Sequence, residues 1–152
     1  MNSKYIKYAL LKYFRFTRQM IVATEVNVCG GIADILAINE IRTKSIEVEI
    51  KISKADFKRE FKDKRYKHWN NTDIRKPNYY YFAFPHELAE ELKSSVPSQY
   101  GIISIFNHNE VKIIQQGTKL NHNTDNKILF DRIIKRNSSE LIKYYGRYEI
   151  DN

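Results

Sequence analysis

Asp34, Glu49 and Lys51 fall within a span of eighteen residues, and their types are those that hydrolysis of a phosphate ester requires. The run Ile46–Ile52 reads I-E-V-E-I-K-I and alternates strictly. As a strand it points Ile46, Val48, Ile50 and Ile52 to one face and Glu47, Glu49 and Lys51 to the other. If the preceding apolar strand pairs with it as a hairpin, Asp34 and Glu49 converge. Two carboxylates and the backbone carbonyl of Ile50 make an oxygen-rich site suited to Mg²⁺ or Mn²⁺. Such an ion polarises a phosphate oxygen and lowers the pKa of a bound water. Lys51 beside it can orient that water or stabilise charge on the transition state. Taken alone, the strand is better described as the wet face of an amphipathic sheet. Its surroundings favour chemistry: Asp34 on the adjacent strand, the Gly30-Gly31 turn leading in, and a basic helix leading out. Glu25, in an otherwise apolar β-rich run, is a further candidate. It is either an outer-sphere metal ligand or partner of Lys51, or an edge-strand residue reaching solvent.

The elements that must hold these residues follow from periodicity. Residues 4–18 predict an amphipathic helix with Tyr5, Ile6, Ala9, Leu10, Tyr13, Phe14 and Phe16 on one side and a purely cationic opposite side. The period then changes to two. Met20–Val28 and Ala33–Ile38 read as strands about the turn Cys29-Gly30-Gly31, and Asn39–Ser45 is a loop into Ile46–Ile52. Ser53 starts a helix, with Asp56 completing a capping-box variant, that runs to about Lys67. A loop His68–Asn78 leads to the strand Tyr79–Phe84, a short helix His86–Lys93 and strands at Tyr100–Phe106 and Val111–Gln115. Lys127–Tyr145 closes the chain as a helix with a break expected around Asn137–Ser139. The order predicts one α/β (α+β) domain over residues 1–152, a mixed central β-sheet flanked by helices.

Charge gives the surface a polarity. Lys and Arg number 26 against 18 Asp and Glu, a net +8, which favours a polyanionic partner. The excess concentrates in the helix after Lys51. There Lys54, Lys58, Lys62 and Arg65 form one stripe; Asp56, Glu60 and Asp63 form a second, with Phe57 and Phe61 between them for the sheet. The basic stripe begins one turn from Lys51, so a bound backbone would lead its phosphate into the metal site. The alternative is a solvated face with ion pairs such as Glu60–Lys64 and Asp63–Lys67. Trp69 and the Tyr79–Tyr81 run read as buried rather than as base-stacking platforms. One cysteine excludes an internal disulfide, and dispersed histidines give no zinc spacing. No segment approaches the length of a membrane span, so the expected setting is cytoplasmic.

The segment G30-G31-I-A-D34 … I46-E-V-E49-I-K51-I-S-K-A-D56-F57 resembles the core motif of the PD-(D/E)XK nuclease superfamily, and more narrowly the MmcB-like DNA repair proteins. In these a strand ending in E-x-K-x-S precedes a D-F helix. The runs Tyr79–Pro85 and Gln99–Ile103 resemble the strands that follow, so the likeness spans about residues 20–106. Ala33 stands where the superfamily's nominal proline falls, and KREFKDKRYKHW replaces the narrower family's Trp-containing stretch. The resemblance implies a restriction-endonuclease-like core, Asp34 and Glu49 as metal ligands, Lys51 as catalytic lysine, and DNA rather than RNA as substrate. The expected activity is a Mg²⁺- or Mn²⁺-dependent endonuclease of repair, recombination or restriction. A homodimer would let two sites address two strands. A catalytically silent nucleic-acid-binding module on the same fold, and a basic protein with an acidic protein partner, are the competing readings.

Overall fold

The structure, a computed structural model, describes residues 1–63 and 72–150, the last three as backbone only. Its centre is a six-stranded sheet whose strands lie in sequence order: β1 (Ile21–Val28), β2 (Gly31–Ile38), β3 (Ser45–Ile50), β4 (Tyr79–Pro85), β5 (Gly101–Ile105) and β6 (Val111–Gln115). The first three strands form an antiparallel meander, β3, β4 and β5 run parallel, and β6 returns antiparallel. The meander needs only short turns. Val28 pairs with Gly31 across Cys29-Gly30, and Gly30 takes φ 85°, where a side chain would be strained. The parallel pairs need crossovers, supplied by α2 (Lys54–Asp63) between β3 and β4 and α3 (His86–Leu92) between β4 and β5. This is the α+β class with a mixed sheet that the sequence predicts.

Alternation sorts the core into two layers. Ile35, Ala37, Ile46, Val48, Ile50, Tyr81, Ala83 and Ile103 face α1 (Ser3–Lys12), which buries Ile6, Ala9 and Leu10 against them. On the other face α2 and α3 cover Tyr80, Phe82, Phe84 and Ile102, with Phe57 meeting Phe82 and Phe84 edge-on at 5.4 and 5.6 Å. The closing helix α4 (Asn126–Ile150) packs Leu129 and Ile133 on Ala23, Val26, Leu36 and Ile38 of this same face. Ser53 caps α2 as its sequence suggests, its Oγ accepting from the Asp56 N–H at 3.1 Å.

Several expectations need correction. The first helix turns into a π-helical segment at Tyr13–Thr17, which rotates Phe16 off the apolar side and leaves it 73% exposed. β3 ends at Ile50, so Ile52 is half exposed instead of continuing the core row. The expected break near Asn137 is absent: α4 is one helix of 25 residues. Asn137 is used there as a bond donor, its Nδ2 reaching the Val22 carbonyl, while Arg136 Nε and Arg132 Nη1 reach those of Thr24 and Asn27. Thus α4 satisfies outward carbonyls of the edge strand β1, which would otherwise template another strand. The described part of α2 stops at Asp63; the rest of the expected helix, with Lys64, Arg65 and Lys67, and the start of the expected loop, with Trp69, lie outside the described residues.

Phe57 ties α2 to the sheet beneath Lys51. Phe57→Ala should lower unfolding stability by about 3–5 kcal/mol, as expected for a buried aromatic. Urea unfolding checks this; a loss under about 1 kcal/mol would mean that α2 is not packed as described.

Candidate active site at the β2–β3 divergence

The β2–β3 ladder pairs Leu36 with Glu47 and Ile35 with Val48, and carrying that register one step further sets Asp34 opposite Glu49. The two carboxylates therefore share a sheet face, the one covered by α2 and α4. At this step the backbone bonding gives way to a side chain. The Ile50 N–H, which an unbroken ladder would direct to a β2 carbonyl, donates to Asp34 Oδ2 at 2.8 Å. Asp34 thereby lies across the end of β3, half buried, with its second oxygen unbonded among the described residues.

The face carrying Glu47, Glu49 and Lys51 is not wet. Their relative exposures are 3%, 4% and 2%, so the solvated-strand alternative is excluded. At the Lys51 end, α2 brings Glu60, itself fully buried, against the ammonium. The Lys51 ammonium lies 2.7 Å from Glu60 Oε2, 3.3 Å from Glu49 Oε1 and 3.8 Å from Asp56 Oδ1. Burial opposes its charge, but its hydrogen bond to Glu60 and the fields of Glu49, Glu60 and Asp56 outweigh it and hold the Lys51 pKa above its ordinary value. Tyr80, directly across from Glu47 on β4, donates its hydroxyl to Glu60 Oε1 at 2.9 Å. Burial, then the carboxylates of Glu47, Glu49 and Glu60, push its pKa well above that of an ordinary phenol. Lys76, also buried, has its pKa lowered by burial, with the field of Glu47 working against the shift.

Among the described residues no group of three or more His, Cys, Asp or Glu side chains is arranged to hold a metal ion. Asp34 and Glu49 with a backbone carbonyl at Ile50 form a smaller set. Its donors are all hard oxygens, and Mg²⁺ commonly takes one or two carboxylates and completes its shell with water. The donor chemistry fits such an ion.

The register sets Asp34 opposite Glu49, and the Lys51 ammonium lies beside Glu49; two other glutamates depart from a catalytic or solvent placement, Glu25 taking its edge-strand alternative and Glu60 turning inward. Glu25 is drawn away from Lys51. Its backbone takes φ 53°, and its carboxylate pairs with Lys7 of α1 at 3.1 Å and Arg136 of α4 at 3.0 Å, off the sheet edge. Glu60 belongs to the buried face with Phe57 and Phe61, not to the solvent stripe of Asp56 and Asp63. Its position three residues after Phe57 and one before Phe61 is the signal that places it there. Of the basic stripe, Lys58 and Lys62 are exposed, Lys54 pairs with Glu91 of α3 at 2.9 Å, and Arg65 is outside the described residues.

The chain is similar in structure to a solved protein of unknown function from Silicibacter pomeroyi, with TM-score 0.67 and 17% identity over 88% of this chain and 85% of that one. That likeness shows the fold. No family model and no curated protein matches the sequence. Among the described residues no helix is long and apolar enough to cross a membrane.

The raised Tyr80 pKa has a signed consequence. The unfolded phenol ionises near pH 10 while the folded one stays protonated, so the stability this group contributes is complete below that pH and falls as pH rises beyond it. The Lys51 ammonium acts in the same direction above its own unfolded value. Tyr80→Phe should therefore flatten the alkaline limb of the stability curve. Urea midpoints at pH about 8 and about 10.5, on either side of the phenol's unfolded pKa, test this; an unchanged alkaline loss in the variant would contradict it.

Proposed function

We propose that this protein is a Mg²⁺- or Mn²⁺-dependent nuclease that hydrolyses phosphodiester bonds in DNA, with Asp34, Glu49 and Lys51 as its working residues. The observation that carries this reading is the meeting of Asp34 and Glu49 on one face at the β2–β3 divergence, with the Lys51 ammonium 3.3 Å from Glu49. It is supported by the hard-oxygen donor set and by the resemblance of G30-G31-I-A-D34 and E49-I-K51 to the PD-(D/E)XK core.

Asp34, Glu49 and the Ile50 carbonyl would hold the cation, which when bound polarises the phosphate and acidifies water. The chain's own part is positioning and charge. Asp34 is fixed through Oδ2 by the Ile50 N–H, so its orientation is set before anything binds. Lys51, whose pKa is raised, is protonated at neutral pH. It therefore serves as a cationic hydrogen-bond donor toward charge developing on the phosphate, not as a general base. The exposed amines of Lys58 and Lys62, with Lys54 once it exchanges Glu91 for phosphate, form the flanking contact to the DNA backbone. Repair, recombination or restriction would be the setting.

Single-turnover cleavage of labelled DNA and RNA substrates with Mg²⁺, Mn²⁺, Ca²⁺ or chelator tests the reading. Glu49→Ala should abolish cleavage. Lys51→Ala should slow it by about 100-fold or more with calcium-supported affinity retained, because its contact strengthens in the transition state. Glu47→Gln, one two-residue step further along β3, should cost much less. Binding without cleavage by the parental protein under every metal would make it a silent DNA-binding module, and loss of binding at physiological salt would favour an acidic protein partner.

The basic stripe carries a separate expectation. Replacing Lys54, Lys58 and Lys62 together by Ala should reduce the slope of log affinity against log salt by up to about 3, near 0.9 for each phosphate no longer neutralised. An unchanged slope would return those residues to solvent.

A further inference from the structure

We propose that Glu60 and Tyr80 are positioning residues for Lys51, forming a buried relay that holds its ammonium at the site when Glu49 turns to a metal ion. This rests on the nuclease reading above and extends it to two residues that the D…E-x-K pattern does not contain.

The Lys51 ammonium has three protons and is shared between carboxylates. Glu60 Oε2 is closer, at 2.7 Å, than Glu49 Oε1, at 3.3 Å, and Asp56 at 3.8 Å is too far for a hydrogen bond. If Glu49 is a metal ligand, its oxygen cannot serve cation and ammonium equally. Without a second anchor, Lys51 would be repelled by the incoming divalent charge and would swing away on four rotatable bonds. Glu60 is that anchor. Its carboxylate is fully buried and its other oxygen, Oε1, accepts from Tyr80 at 2.9 Å, so it cannot rotate toward solvent. Tyr80 is in turn fixed between the rings of Phe82 and Tyr100, centroids 5.2 and 5.5 Å away. The relay joins β4, α2 and the end of β3 into one support.

Stability alone gives a poor reason for this arrangement. Glu60 lies between Phe57 and Phe61 on the sheet-facing side of α2, where an apolar residue would pack without the cost of desolvating a charge. Holding a lysine at fixed distance from a reacting phosphate does require it, since misplacement by about 1 Å can cost about 100-fold in rate.

The test combines a mutant cycle with a metal-independent readout. Glu60→Gln keeps the bond from Tyr80 but removes the charge that holds Lys51; it should lower single-turnover cleavage by about 100-fold with calcium-supported DNA affinity unchanged. Tyr80→Phe should lower it by about tenfold. In a Lys51→Met background neither change should cost anything further, because both act through the ammonium. A Glu60→Gln loss that persists undiminished in that background, or a parental rate for both single variants, overturns the proposal. The second readout is the ¹⁵N–¹H resonance of the Lys51 ammonium. It should be visible and protected from exchange in the parental protein, should remain so on adding Mg²⁺, and should be lost in Glu60→Gln. Persistence in that variant overturns the proposal as well. If Glu60→Gln does not fold, Tyr80→Phe carries both readouts. If the parental protein cleaves nothing, the nuclease reading fails, and the ammonium resonance still decides the positioning.

Discussion

A lysine ammonium buried among carboxylates is the constraint around which the rest of this protein is arranged. Moving such an ion out of water costs several kcal/mol unless opposite charge and hydrogen bonds meet it. Lys51 is met by Glu60 from α2, Glu49 from β3 and Asp56 from the first turn of α2, so the end of β3 and the helix that follows are bound by charge as well as by Phe57. The requirement fixes where α2 lies on the sheet, which residue of β4 stands beneath it, and why a strand patterned as half polar is buried on both faces. Removing one partner therefore costs more than one ion pair, because the remaining groups were placed to meet its charge.

The second constraint is at the sheet edge. The long helix α4 lies along β1 and supplies side-chain donors to three of its outward carbonyls. Glu25 is caught in this arrangement between Lys7 and Arg136, and those bonds and charges lower its pKa below that of an ordinary glutamate. The same charged residue that could have served the site instead ties α1 and α4, which cover opposite faces, to one edge strand. Asp34, on the neighbouring strand, remains for the centre of the sheet.

Much of this was legible in the residues. The alternation Ile46 to Ile50 gave the correct parity for Glu49 and Lys51, the Gly30 turn announced the hairpin, and Ser53 with Asp56 marked the start of α2. What escaped was decided by partners far away in sequence. Glu60 looks like a solvent residue in a helix rich in charge, and its burial is made acceptable by Lys51 and the Tyr80 hydroxyl, which its own helix does not reveal. Asn137 resembles a helix breaker by propensity, yet its amide serves a strand 115 residues earlier. Phe16 fits an ideal wheel, but one π turn moves it to the surface. Periodicity sees a helix face; it does not see what is opposite.

The central claim is that Asp34 and Glu49 together create a divalent-cation site beside a lysine that stays charged. Mn²⁺ titration followed by electron paramagnetic resonance, without nucleic acid, measures this most directly. Saturable binding at one site is expected in the parental protein, abolished in folded Asp34→Asn and in folded Glu49→Gln. Absence of saturable binding in the parental protein, or binding of equal strength in all three proteins, would contradict it.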